Sequence, residues 1–75
     1  MLYAVNKHNG LINKLIKCEC LAIAKKHNLP GELDKMNHKE LEQLVAYELY
    51  QTDDWVYYTS RDVAEDLAHG IKKNL

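Results

Sequence analysis

A chain of 75 residues, with ten Lys or Arg side chains against eleven Asp or Glu and a formal net charge of −1, supports one thin core. It leaves too few residues to enclose a substrate on all sides. Hydrophobic residues at 47% and charged residues at 28% exclude wholesale disorder. No apolar run approaches the roughly 20 residues of a membrane span, and no basic-then-apolar leader opens the sequence. The expectation is therefore a single cytoplasmic domain over residues 1–75, away from membranes.

Met1 to Val5 is apolar and tolerant of β structure, and reads as a strand or an ordered extension; Asn9-Gly10 then marks a turn. From Leu11 to about Lys26 the apolar residues Leu11, Ile12, Leu15, Ile16, Ala22 and Ile23 form a 3.6-residue stripe with the lysines largely off it. That pattern predicts a first helix over 11–26. His27 suits its last turn, Asn28 suits a left-handed residue just past its end, and Pro30 prevents continuation.

Residues 29–37 connect, with Leu33 and Met36 as apolar anchors that pack the loop down. Asn37 followed three residues later by Glu40 is a capping-box pattern, so a second helix is expected from about His38 to Tyr50, burying Leu41, Leu44, Val45 and Leu49. Residues 55–59 suit either a strand paired with 2–5 or one helical turn begun by Thr52, and the reading leans to helix or irregular structure. Ser60 or Thr59 opens a last helix whose face is Val63, Ala64, Leu67, Ala68 and Ile71. The fold class that follows is mainly α: a small bundle of three or four helices, with room for a short two-stranded ribbon joining 2–5 to 55–59.

Cys18 and Cys20 are one residue apart. On a helix their side chains point roughly 200° apart, so they read as reduced thiols, one of them a small buried hydrophobe. His8, His27, His38 and His69 are scattered and read as surface or capping residues. No phosphate-cradling loop, nucleophile motif or carboxylate pair is evident, and Ser60, the only serine, is explained by capping. The expectation is no catalysis, no metal and no cofactor.

Two surface signals remain. Charge is sorted by position: up to Lys39 seven lysines face three acids, +4, and from Glu40 onward eight acids face three bases, −5. Such asymmetry points to a charged partner. It also permits self-association, positive end on negative end. Lys25, Lys26, Lys35 and Lys39, with Gly31 letting the loop approach closely, form the candidate phosphate-contacting set. The patch lacks arginine, so any such contact is weak, salt-sensitive and blind to base sequence. The second signal is aromatic. Tyr47, Tyr50, Trp55, Tyr57 and Tyr58 crowd into twelve positions with Asp53 and Asp54 among them. Polar-tipped rings rimmed by acid suit a basic protein surface.

Residues 20–49 place Leu29, Gly31, Leu33, Lys35, Met36, Lys39, Glu40 and Leu41 in a pattern that resembles helix–extended loop–helix modules. These include the SAP and LEM modules and the N-terminal helical piece of transcription terminator Rho. The resemblance implies a small non-enzymatic module, often associated with nucleic acid, that docks through the start of the second helix and the loop before it. The leading expectation is therefore a binding module for nucleic acid or a nucleic-acid-bound complex. The alternative is an adaptor or inhibitor, of the kind small viral genomes encode, acting on a basic host protein through the acidic, Tyr/Trp-rich surface.

Overall fold

In the computed structural model, which describes residues 1–75, the chain runs β1 (Leu2–Asn6), β2 (Ile12–Leu15), α1 (Lys17–Lys26), a 3₁₀ turn (Leu33–Lys35), α2 (His38–Leu44), a π-helical turn (Val45–Leu49), β3 (Trp55–Tyr58) and α3 (Arg61–Lys73). The three strands form one antiparallel sheet in the order β2-β1-β3. This overturns the expectation of a mainly α bundle with a two-stranded ribbon. The fold is α+β, and the sheet lies at its centre.

β1 explains why. Its residues Leu2, Ala4 and Val5 are buried, and Tyr3 is half-buried. A strand apolar at successive positions needs cover on both faces. Leu2 and Ala4, with Leu15 and Tyr57, meet Cys20 and Ala24 of α1 and Leu41 and Val45 from the second helical segment. Val5 points the other way, onto Ala64 and Ala68 of α3, flanked by Tyr3, Ile12, Tyr58, Leu67 and Ile71. The sheet is thus sandwiched between two helices on one side and one on the other. No helix is long and apolar enough to cross a membrane.

The helix expected from Leu11 begins only at Lys17; residues 12–15 are β2, paired Leu2↔Leu15 through Val5↔Ile12. Leu11, Ile12, Leu15 and Ile16 satisfy a helical spacing, yet Leu11 and Ile16 stay exposed while Leu15 is buried and Ile12 half-buried. The turn brings the segment alongside β1, where pairing holds it as a strand. Asn6 Oδ1 accepts from the amides of His8 and Asn9, and Asn9 Oδ1 accepts from Leu11. These bonds, with Gly10 at φ +74°, fold the chain back along β1. A Cβ at residue 10 would stand 2.8 Å from the Ala68 carbonyl oxygen, so glycine also lets the turn press onto α3.

Residues 55–58, where the sequence suits both a strand paired with 2–5 and helix or irregular structure and leans to the second, form the strand, β3, pairing Tyr3↔Tyr58 through Asn6↔Trp55. The second helix is also shorter than expected. It passes at Val45 into a π turn, closed by the Tyr50 amide donating to the Val45 carbonyl at 2.9 Å, and Tyr50 itself adopts φ +45°.

The caps follow the sequence. Asn28 is left-handed at φ 53°, and the Leu29 amide returns to the Ala24 carbonyl at 3.0 Å. Asn37 and Glu40 exchange bonds at 2.8 and 3.1 Å. Ser60 Oγ accepts from Val63 at 3.5 Å to open α3. Within α3, alanines at 64 and 68 bring the helix close to β1.

Candidate interaction surface

Tyr50 to Tyr57 closes as a tight hairpin. The Tyr57 amide donates to the Tyr50 carbonyl at 2.9 Å, the Thr52 amide to the Trp55 carbonyl at 2.7 Å, and the Trp55 amide to Thr52 Oγ1 at 3.2 Å. Asp53 and Asp54 form the tip, both exposed. The tip is tied to the β1–β2 turn: the Lys7 amide donates to the Asp54 carbonyl at 2.8 Å, and His8 Nε2 lies 3.0 Å from Asp54 Oδ1. Asp53 has no ion-pair partner within the chain.

Beside the hairpin lies a groove of about 480 Å³ between α1 and the sheet. Its aromatic wall is Trp55 and Tyr57; Asp53, Asp54 and Glu19 line it with carboxylates, and Lys26 and His27 with bases. Glu19 is aimed by its bond to the Ile16 amide, 3.0 Å, which starts α1. Burial raises the Tyr57 phenol above its ordinary value, partly offset by a hydrogen bond with the Thr52 side chain.

The structure divides the aromatic set. Tyr50 is 56% exposed and Tyr47 70% exposed; Trp55 is half-buried and Tyr57 buried in the core. Tyr58 packs toward α3 on the opposite face of the sheet. Tyr50, Asp53, Asp54, Trp55 and Tyr57 therefore share one hairpin, Tyr47 projects from the π turn, and Tyr58 belongs to the second core. Left-handed backbone is uncommon for a bulky residue and π turns are rare; both recur at functional positions. Neither left a signal in the sequence.

The basic set is brought only partly together. Lys25, Gly31 and Lys35 line one shallow depression with Glu32 and Asp34. There Lys25 Nζ sits 2.7 Å from Asp34 Oδ1, and Lys35 Nζ 3.6 Å from Glu32 Oε2. Lys26 faces the groove instead, and Lys39 is exposed in the first turn of α2. Two acids, Glu32 and Asp34, lie within three residues of Lys35 in the sequence, close enough to neutralise the patch locally.

Among the remaining titratable groups, both cysteines are free thiols, Cys18 exposed and Cys20 buried. Burial, with the Glu42 and Glu19 charges adding to it, pushes the Cys20 thiol up to about 11. Glu42 is itself buried, its Oε2 lying 3.3 Å from both His38 Nε2 and the Met1 amino group. No group of three or more His, Cys, Asp or Glu side chains is arranged to hold a metal ion. No protein-family model, curated protein or solved structure matches the chain.

Proposed function

We propose that this chain is a non-enzymatic binding module that docks on a basic protein surface through the 50–57 hairpin and the adjoining groove. A single observation carries the reading: Tyr50 and Asp53 project, exposed, from a hairpin held by a strained residue. The hairpin is pinned at its base and tip by backbone bonds, so little ordering entropy is lost on contact. An arginine or lysine of the partner enters the groove over Trp55, where the ring face attracts a cation. Asp53, Asp54 and Glu19 steer and hold its charge.

Contact with nucleic acid through Lys25, Lys26, Lys35 and Lys39 has less support, because two of the four lysines already engage carboxylates. Phosphate would have to compete with Asp34 and Glu32 and meet the acidic second half of the chain.

Trp55 is the only tryptophan, so its emission reports directly on the groove. Titration with an arginine-rich peptide shifts that emission saturably. The paired change Asp53→Asn with Asp54→Asn weakens the binding by about tenfold, the effect of two partly exposed ion pairs. Equal binding by wild type and double variant refutes the assignment.

A further inference from the structure

The sheet has one open edge. β3's outer side is partly occupied by the segment leading into it, through the isolated Gln51↔Val56 bridge and the Tyr57–Tyr50 bond. β2 has a neighbour on one side only. The hairpin bonds fix which of its groups face outward. The Asn6 amide donates to the Leu11 carbonyl at 2.8 Å, so Asn6 and Leu11 form a hydrogen-bonded pair. Alternation then makes Ala4/Asn13 and Leu2/Leu15 hydrogen-bonded pairs too. The amides and carbonyls of Ile12 and Lys14 point away from β1, four backbone groups on an unpaired edge. Exposed leucine and isoleucine flank them: Leu11 is 55% exposed and Ile16 57%.

We infer that this edge pairs, antiparallel, with β2 of a second copy of the chain, making a continuous six-stranded sheet across a two-fold axis through Asn13. The edge is complementary to itself. Antiparallel pairing about a two-fold axis normal to the sheet keeps each face on its own side, and centring it on Asn13 uses both outward residues. Ile12 of each copy exchanges both backbone bonds with Lys14 of the other, and Asn13 meets Asn13 as a non-hydrogen-bonded pair. Leu11 then lies opposite Leu15 of the second copy, and the Lys14 stem lies over the second copy's Ile12. The neighbouring registers fail. Centring on Lys14 opposes two ammonium groups and calls on the Ile16 amide, which already donates to Glu19. Centring on Ile12 calls on the Gly10 amide, which already donates to Asn6.

Sedimentation velocity of the full chain over a concentration series reads the association, and two variants test its geometry. Lys14→Pro removes an outward amide while leaving every bond to β1, a substitution edge strands accept. With two intermolecular bonds gone it weakens dimerisation by about tenfold or more, while far-ultraviolet circular dichroism stays that of the wild type. In a Cys18→Ser background, Asn13→Cys places two thiols face to face at the axis, and added copper–phenanthroline with dissolved oxygen, taking up the two electrons and two protons, oxidises them rapidly to a disulfide-linked dimer, whereas Asp66→Cys on α3 reacts slowly under the same oxidant. A wild-type chain that stays monomeric to several hundred micromolar overturns the inference. So does cross-linking through residue 13 no faster than through residue 66, which separates this edge from one reserved for a foreign peptide even where the proline variant fails to fold.

Discussion

Replacing Tyr50 by glycine should give a more stable protein than replacing it by alanine, the reverse of the order at an ordinary helical position. Tyr50 sits at φ +45° and ψ −27°, where the chain leaves the π turn. A side chain with a Cβ in left-handed backbone loses about 1–2 kcal/mol relative to glycine there. Glycine returns about 0.4–1 kcal/mol of that through the greater freedom of its unfolded chain. Both variants lose the same half-exposed ring, so that loss cancels in the comparison. The net expectation is that Tyr50→Gly exceeds Tyr50→Ala by about 0.5–1 kcal/mol, a separation of about 3–6 °C in Tm for a domain of this size. Thermal unfolding followed by circular dichroism, both variants in one buffer, measures it. If the alanine variant is equally or more stable, residue 50 is not left-handed, and the bond from the Tyr57 amide that closes the hairpin has no support.

Gly10→Ala should destabilise by about 2 kcal/mol, since φ +74° disfavours any Cβ and this one would press on the Ala68 carbonyl at 2.8 Å; urea unfolding reads the shift in midpoint. Asn37→Ala should remove about 1 kcal/mol by uncapping α2, again from the urea midpoint. Stability should also fall as pH rises from about 9 toward 11. The unfolded Cys20 thiol ionises near its ordinary 9.0 while the folded one keeps its proton to about 11, so the unfolded state binds fewer protons across that window. Urea titrations at stepped pH should give a shallower decline for Cys20→Ala than for the wild type, and parallel declines would refute the assignment.

Chain ends of elements were legible where a side chain does the work locally. Asn28, the Asn37–Glu40 pair and Ser60 terminate or start helices through bonds to backbone only a few residues away. The three-stranded sheet was legible only in part: 55–59 could be matched to 2–5, but β2 could not be seen, because its reasons are long-range. Leu11, Ile12, Leu15 and Ile16 fit a helical stripe as well as a strand, and the choice is made by β1, which needs a partner at each edge. The clue lay in β1 itself: an apolar run without alternation signals burial on both faces, which a lone ribbon cannot give. β3 carried strand-forming residues, but they became a strand by pairing with residues about fifty positions earlier.

The candidate site divides the same way. Tyr50, Asp53, Asp54 and Trp55 are near in sequence and stay near on one hairpin. Spacing alone lets the lysines converge across a loop, but the loop's own Asp34 and Glu32 take Lys25 and Lys35, while Lys26 turns to the groove and Lys39 stands apart. Tyr58 follows Tyr57 in sequence, yet neighbours on a strand point to opposite faces, and Tyr58 joins the α3 side.

Affinity purification with the immobilised chain, from the cell that makes it, with and without nuclease, tests the proposed function most directly. Docking through the hairpin requires that nuclease leave a basic protein bound, that Tyr50→Asn with Asp53→Asn release it, and that changing Lys25, Lys26, Lys35 and Lys39 to glutamine not do so. Retention that vanishes with nuclease or with the four lysines, and survives loss of Tyr50 and Asp53, would contradict it.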